Sequence, residues 1–585
     1  VKRLAVGLDL ARACRSRIGK EEAIAAALVA IAADGDDAAL ATAARIAAGR
    51  VLPVGDGRSL GVGWALMLDV ARGATGWDDE VILACARKTG ELGEAFALLA
   101  RRVNGVLRRP GIELSRIASM AEALATEPSR ARKRALLDDA FARTTPIETK
   151  YLAKVLGGGM RIGAQDGVAL GAIARAFGAT SEAVRRAAAL VTDPGDLAIL
   201  ARDERLSSAQ MTVGRPVAFK LATPIETIAG TIDQNAYVLE DKIDGVRAQV
   251  HRTADGDIAI FARGLDRVTL AFPEVADAIR RLPGPLAIDG EIVAYGPSGR
   301  PRPFQALQPR LKKTRPSARD LAEVRVALVA FDLLADASGP LLDCPWMERR
   351  ERLRDLLRGL VSDGAVRLNA ATPIPPDEPL TRALDVAFDA ARARGHEGLL
   401  LKRRDAPYDA GRRGHAWIKV KRAHATLDVV VVAAEEGHGR RAGALSDYTF
   451  AVWQGEELVP IGKAYSGLTD DEIDAMTRRL EAITVDRVGG LRRVRPDVVL
   501  EVAFDGIQRS RRHASGFALR FPRIVRVRDD KTPALADRID AVAAIFDAQV
   551  AGGHRERVEA RPRKIARPRR VDASQLSLFG EDDER

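Results

Sequence analysis

Cysteine is scarce in this chain of 585 residues: only Cys14, Cys85 and Cys344 occur, odd in number and far apart. That excludes both a disulfide framework and a four-cysteine zinc module, and it points to a reduced cytoplasm. No apolar run approaches the roughly 18 residues of a membrane span, and the first residues lack the apolar stretch and cleavage site of a signal peptide. A cytoplasmic protein with no membrane partner is therefore expected. The start at Val1 is what an alternative start codon or a trimmed end would leave. A G-x-x-x-x-G-K-S/T loop is also missing, which argues against a P-loop motor.

The chain is 47% hydrophobic, enough for three or four domains that each bury a core. Its 91 Lys and Arg outnumber 80 Asp and Glu, giving a net charge of +11 and a pI near 9.7. A moderate surplus of this kind, gathered on particular faces, suits a polyanion, and nucleic acid is the expected partner. The competing explanation is an arginine-rich and alanine-rich composition set by genome base content.

Residues 1–205 carry apolar side chains at three-and-four spacing, as in EEAIAAALVAIAAD and SEAVRRAAALV, and predict an all-helical domain. Within it, ETKYLAKVLGGGMRIG places Arg161 at a glycine-rich break between helices. There, backbone amides and a guanidinium can meet phosphates, or the helix can simply be capped. Residues 206–222 read as a linker around Gly214-Arg215-Pro216. From 223 to 423, β-type runs (YVLE, PLAIDGEIVAY, RVALVAFDLL, GLLLKRR, WIKVKR) alternate with helical ones, which predicts a mixed α/β domain. Residues 424–533 are strand-rich with glycine-bearing turns, as in a small β-barrel, and 534–550 read as a closing helix. In the last stretch, 551–585, eight Arg and Lys face two Glu between Arg555 and Arg570, so a disordered, polyanion-seeking tail is expected. It ends in an apolar cluster, Gln575-Leu576-Ser577-Leu578-Phe579, that needs a partner to bury it.

The chemistry is carried by residues in one ordered series. Lys242, in LEDKIDGVR, is an amine that can act as a nucleophile, with Gly245 allowing close approach. Forming a phosphoramidate requires that amine deprotonated, which Lys402, Lys419 and a bound metal would favour. Glu291 and Glu397 leave strand-like runs and together could hold Mg²⁺, which prefers oxygen ligands. Arg247, Arg263, Arg413, Lys402, Lys419 and Lys421 would neutralise phosphate charge, and the ring of Phe331 could stack on a base. Each residue alone has an ordinary structural explanation. The order KIDGVR, FARG, DGEIVAY, FDLL, EGLLLK, WIKVK within about 180 residues does not arise by chance.

On these motifs the chain resembles the ATP-dependent DNA ligases of the covalent nucleotidyltransferase superfamily. The resemblance extends to about Pro533. It implies a multidomain fold: an all-α DNA-binding domain, an α+β nucleotidyltransferase domain, an all-β OB-fold barrel and a disordered tail. It implies ATP and Mg²⁺ as cofactors, with Mn²⁺ able to substitute, and nicked double-stranded DNA as the partner of a monomeric enzyme. Lys242 would be adenylylated, with Glu240 beside the adenine, Arg247 and Arg263 near ribose and phosphates, and Glu291 and Glu397 at the metal. Phe331 would lie on the base, and Arg413, Lys419 and Lys421 on phosphates. SGFALRFPRIVRVRDDK looks like the last family motif, in which Arg520, Arg526, Arg528, Asp529 and Lys531 would close over ATP and orient pyrophosphate. Arg161 and Arg247 would also contact DNA. The glycine triplet Gly157 to Gly159 departs from the family's bulkier helix end. The expected reaction passes AMP from ATP to Lys242, then to the 5′-phosphate of a nick, after which the 3′-hydroxyl displaces AMP.

The tail cluster resembles the short motif by which bacterial proteins dock on the replication sliding clamp, with Gln575 at the mouth of a pocket, Leu576 beside it, and Leu578 and Phe579 filling it. Accidental tail hydrophobicity is the alternative. For the whole chain, an RNA ligase or capping enzyme and a non-catalytic DNA-binding scaffold are the competing readings.

Overall fold

The computed structural model describes residues 1–103, 111–160, 166–227, 232–311, 313, 315–358, 364–420, 425–437, 441, 443–510 and 512–551. The chain divides into two compact units, Val1–Arg422 and Ala423–Arg585. Cys14, Cys85 and Cys344 are all free. Among the described residues no helix is long and apolar enough to cross a membrane.

The first unit opens with helices running from Lys2 to Arg202. Side chains of Ser16, Asp36, Asp78, Ser129, Thr180 and Asp193 accept hydrogen bonds from backbone amides at six helix starts, satisfying donors that the helices cannot. The three-and-four apolar spacing is buried as one core that includes Leu4, Leu28, Val70, Phe96, Phe141 and Leu197. Three of these helices matter most here: α1 (Lys2–Ala13), α2 (Leu92–Val103) and α3 (Pro146–Leu156). A capping box between Thr145 and Glu148, with Pro146 in the first turn, starts α3. Its Lys150 ammonium reaches Glu94 at 2.9 Å, Tyr151 donates to Asp9 at 3.0 Å, and Lys154 is buried against Glu91 and Glu94. This ionic ladder fixes the helix that leads into the glycine triplet. There Gly157 caps the helix and Gly158 turns the chain with φ of 72°, a left-handed conformation that a side chain would strain. Arg161 lies outside the described residues.

Two sheets make up the rest of this unit. The first contains β1 (Tyr237–Lys242), and the second contains β2 (Val246–Arg252), β3 (Ile258–Ala262), β4 (Leu286–Tyr295) and β5 (Arg325–Asp336). After β5 come α4 (Trp346–Leu357), β6 (Val366–Leu368), β7 (Ala371–Pro373), α5 (Leu380–Ala393), β8 (Gly398–Arg403) and β9 (Trp417–Val420). The first sheet has the order Thr223–Pro224, β9, β8, β1, β7. In the second the order is β3, β2, β4, β5, Gly339–Pro340, with β6 parallel to β5. One face of the first sheet buries Leu239, Leu399, Leu401 and Ile418 against Leu384 and Phe388 of α5. One face of the second buries Ile288, Ile292 and Leu328 with Phe272 and Ile279. The period-two alternation of strands sends the polar residues between these apolar ones to the opposite faces, where the two sheets meet through Phe331, Trp417 and Tyr408.

The second unit is built on β10 (Ala425–Glu436), β11 (Leu445–Gln454), β12 (Glu457–Ala464), β13 (Val499–Phe504) and β14 (Arg523–Val527), with α6 (Asp470–Ala482) inserted before β13. Strand β10 pairs with β11 along most of its length and with β13 through its first half. Register shifts between Val431 and Ala433, Glu435 and Glu436, and Phe450 and Ala451 are bulges, which curl a sheet. Val429, Phe450 and Leu500 form its core with Ile473, Met476 and Leu480 of α6. The unit closes with α7 (Ile539–Ala551). The expected tail and its cluster from Gln575 to Phe579 lie outside the described residues.

Candidate active site

Strand register assembles the site. In the first sheet Gly398 lies opposite Lys242, while Glu240, Leu400 and Lys419 form the next row. Lys402 follows one row on, opposite Val238 and Trp417. These residues therefore share the face turned to the second sheet. There Arg247, Glu291, Val329 and Arg367 form a single row across β2, β4, β5 and β6. Gly245, just before β2, allows the start of that strand to lie close against β4. A Cβ at this position would stand 2.3 Å from the Ile292 carbonyl oxygen and 2.9 Å from Glu291 Cγ, so the glycine serves strand packing beside the lysine.

Lys242 ends β1 with its ammonium bonded to Glu397, and the Glu397 amide donates to the Lys242 carbonyl at 2.8 Å. Both side chains keep solvent access, 25% and 23% exposed. Glu291 is the second carboxyl of the pair. Burial pushes it up to about 8, opposed by the charges of Lys242 and Arg247. A further cation beside this carboxyl would favour its ionised form. Among the described residues no group of three or more His, Cys, Asp or Glu could hold a metal. The available oxygen donors suit an ion that keeps waters and takes its remaining ligands from phosphate.

Beneath these groups the charges are buried and paired. Arg247 clamps Asp289 with both sides of its fork, at 3.2 and 2.8 Å, and donates to the Lys220 carbonyl at 2.6 Å. Its guanidinium lies over the rings of Phe219, Trp417 and Phe331 at 5.0 to 5.6 Å. Tyr408 donates to the same Asp289 at 2.7 Å. Asp332, next to Phe331, is held by Arg349 at 2.7 and 2.9 Å. Lys402 contacts Glu240 at 2.9 Å, donates to the Phe331 carbonyl at 3.0 Å, and sits 4.4 Å from the ring centres of both Phe331 and Trp417. Burial pushes the Glu240 carboxyl up and the Lys402 ammonium down, each opposed by the charge of the other. Next to Glu240 opens a cleft of about 400 Å³ lined by Asp241, Ile243, Tyr295, Asn369 and His396.

The structure thus brings together Lys242, Glu240, Arg247, Glu291, Phe331, Glu397, Lys402 and Lys419. Lys402 stands with Glu240 and the aromatic rings rather than in the row opposite Lys242. Arg263 is exposed in a turn and Arg413 in an irregular stretch, and Lys421 lies outside the described residues. In the second unit, Arg520 ends the strand Phe517–Arg520, and Arg526 is paired with Glu501 at 2.7 Å. Arg528 holds Asp428 at 2.9 Å and Asp530 at 2.7 Å; Lys531 also bonds Asp428, and Asp529 meets Arg479 at 2.6 Å. The sequence reading missed Asp289, Asp332, Arg349, Arg350, Asn369 and Tyr408. Asp289 and Asp332 were within reach, because each adjoins a residue already singled out: two before Glu291 on one strand, and directly after Phe331.

Comparison with known proteins shows which family the chain resembles. The profile described as ATP dependent DNA ligase domain matches residues 217–421, that of the DNA ligase N terminus residues 6–174, and that of the ATP dependent DNA ligase C terminal region residues 441–531. A probable DNA ligase of Koribacter versatilis is 40% identical over 522 residues, covering 86% of this chain and 89% of the relative. A DNA ligase of Thermococcus onnurineus is 35% identical over 520 residues, 86% of this chain and 90% of the relative. Among solved structures, one titled Pmar-Lig_PreS3 aligns with a TM-score of 0.54 at 16% identity, covering 90% of this chain and 99% of that one, which speaks to fold alone.

Proposed function

The chain belongs to the ATP-dependent DNA ligase family, an enzyme family that seals nicks in DNA, and from that premise we propose that Lys242 is the residue that carries AMP. The observation that carries this reading is the meeting of Lys242 with Glu397 and Glu291 on the inner faces of the two sheets. Lys242 Nζ attacks the α-phosphorus of ATP; the new P–N bond forms as the bond to pyrophosphate breaks. The Glu397 carboxylate, bonded to the Lys242 ammonium, would orient the lysine for that attack. AMP then passes to the 5′-phosphate at the nick, and attack by the 3′-hydroxyl on that phosphorus expels AMP.

Glu240 and Phe331 would flank the adenine, and Lys419, Lys421, Arg263 and Arg413 would neutralise phosphate oxygens. Arg247 would act near the ribose from a position already fixed by Asp289. Glu291 and Glu397 would hold Mg²⁺, or Mn²⁺ in its place, which supplies charge neutralisation on the phosphates when bound. The second unit would serve as the OB-fold, with Arg520, Arg526, Arg528, Asp529 and Lys531 orienting pyrophosphate. Arg161 and the helical region would grip the duplex through phosphates, so binding falls steeply with salt. We also hold to a cytoplasmic monomer whose segment Gln575, Leu576, Leu578 and Phe579 docks on a sliding clamp. Deleting that segment is expected to remove clamp binding and leave nick sealing intact, and unchanged clamp binding would refute it.

The test of the catalytic reading is a pulse and chase. Protein incubated with ATP labelled on its α-phosphate and Mg²⁺ takes up label covalently, and nicked DNA then discharges it. A label that stays on the protein after the chase would overturn the assignment.

A further inference from the structure

Glu240 is buried at the edge of the 400 Å³ cleft, and three donors hold it. Lys402 and the Asn369 amide reach Oε2 at 2.9 and 3.2 Å; Arg350 reaches Oε1 at 3.0 Å. A carboxylate offers about four lone-pair directions. Among the described residues both on Oε2 are then filled and one on Oε1 remains, so the carboxylate, its side chain sealed from water, is a fixed acceptor with nothing to donate.

Arg350 does more than pair a charge. Its second nitrogen donates to the Asn369 carbonyl at 2.6 Å, and the Asn369 amide nitrogen Nδ2 also donates to the Asp241 carbonyl at 3.1 Å, one residue before Lys242. The Asn369 backbone N–H is in turn bonded to the Ala330 carbonyl at 2.8 Å, next to Phe331. One guanidinium from α4 thus ties together the strand carrying Glu240 and Lys242, the segment between β6 and β7, and the strand carrying Phe331. Its neighbour Arg349 is spent separately on Asp332.

We infer that Arg350, acting with Asn369, is a positioning residue that fixes Glu240 as an acceptor and thereby sets the preference for a purine triphosphate bearing a 6-amino group. This rests on the reading of Glu240 as the residue beside the base. A 6-amino base fills the remaining lone pair, whereas a 6-oxo base sets two acceptors against each other, an unpaired contact that a dry site penalises strongly.

The experiment measures KM and kcat for lysine nucleotidylation of the full chain with ATP and with inosine triphosphate, which lacks the amine. Arg350→Met is expected to raise KM for ATP about tenfold with little change in kcat, and to shrink the preference for ATP over inosine triphosphate by about the same factor. Arg350→Lys should restore part of that preference. Asn369→Leu should reduce the preference in the same direction, and it decides the matter should Arg350→Met fail to fold. Glu240→Gln separates the two levels. If Glu240→Gln leaves the preference unchanged, the base-reading role of Glu240 fails. If Glu240→Gln abolishes the preference while folded Arg350→Met and Asn369→Leu retain it, the positioning role alone is overturned.

Discussion

The floor and the rim of the proposed nucleotide site are both made of charged residues, yet they are handled in opposite ways. On the floor, Asp289, Asp332, Glu240, Arg349 and Lys402 are sealed from water, and each is matched by a partner within 3 Å or so. At the rim, Lys242 and Glu397 keep about a quarter of their side chains exposed, and burial pushes the Glu291 carboxyl up to about 8, only partly opposed by Lys242 and Arg247. A charge meant to hold a shape can be neutralised completely by the fold. A charge meant to react has to be left partly uncommitted, so that substrate completes its environment.

Substitutions on the two sides should separate accordingly. The largest effect belongs to Lys242→Met, which removes the amine itself; covalent uptake of label should fall by at least about 10³-fold while the melting curve is unchanged. On the floor, Arg349→Met strands the Asp332 carboxylate without water and should cost about 3–5 kcal/mol in urea unfolding of the first unit, most of it recovered by adding Asp332→Leu. The rim contrasts with this. Glu397→Gln should slow nucleotidylation by about 10²-fold, yet shift stability by less than about 1 kcal/mol, because a pair still open to solvent contributes little to folding. A stability loss at Glu397 equal to that at Arg349 would break the comparison.

The smallest effect tests how the floor treats a titratable group left without a counter-charge. His251 is fully buried; its Nδ1 accepts from the Gly214 amide at 3.1 Å, and Nε2 has no hydrogen-bond partner among the described residues. Burial lowers it to about 3. The unfolded chain takes up this proton near pH 6.5 and the folded chain only near 3, so stability declines as pH falls below about 6.5, by up to about 1.4 kcal/mol per unit, and levels off near 3. Between about pH 7 and about pH 5 the loss attributable to this residue is therefore about 2 kcal/mol. Urea melts of His251→Gln should show a flatter pH dependence than the parent by that amount.

Much of the rim could be read from the sequence, because its residues sit in local patterns. Lys242 closes, Glu291 interrupts and Glu397 precedes a run of apolar residues, and the runs themselves became β1, β4 and β8. The Trp417–Val420 part of WIKVKR likewise became β9, and the Trp346–Leu357 part of CPWMERRERLRDLL became α4. The floor was largely illegible. Arg350 and Asn369 reach Glu240 across more than a hundred residues of sequence, and nothing local to an arginine in an amphipathic helix says which carboxylate it will find. The strand Glu457–Ala464 and the helix Asp470–Ala482 were also passed over, since their apolar residues are few and their order is fixed by packing on neighbouring strands. Gly245 was noticed for a different reason than the one the structure supplies, which is the closeness of Ile292 and Glu291.

The central claim is that one rim lysine carries AMP. It is tested most directly by exposing the protein to ATP and Mg²⁺ without DNA, digesting it, and locating the added adenylate by mass spectrometry. The account predicts the modification on the peptide containing Lys242, and its removal after nicked DNA is added. Adenylate on the peptide containing Lys402 or Lys419, with Lys242 unmodified, would contradict it.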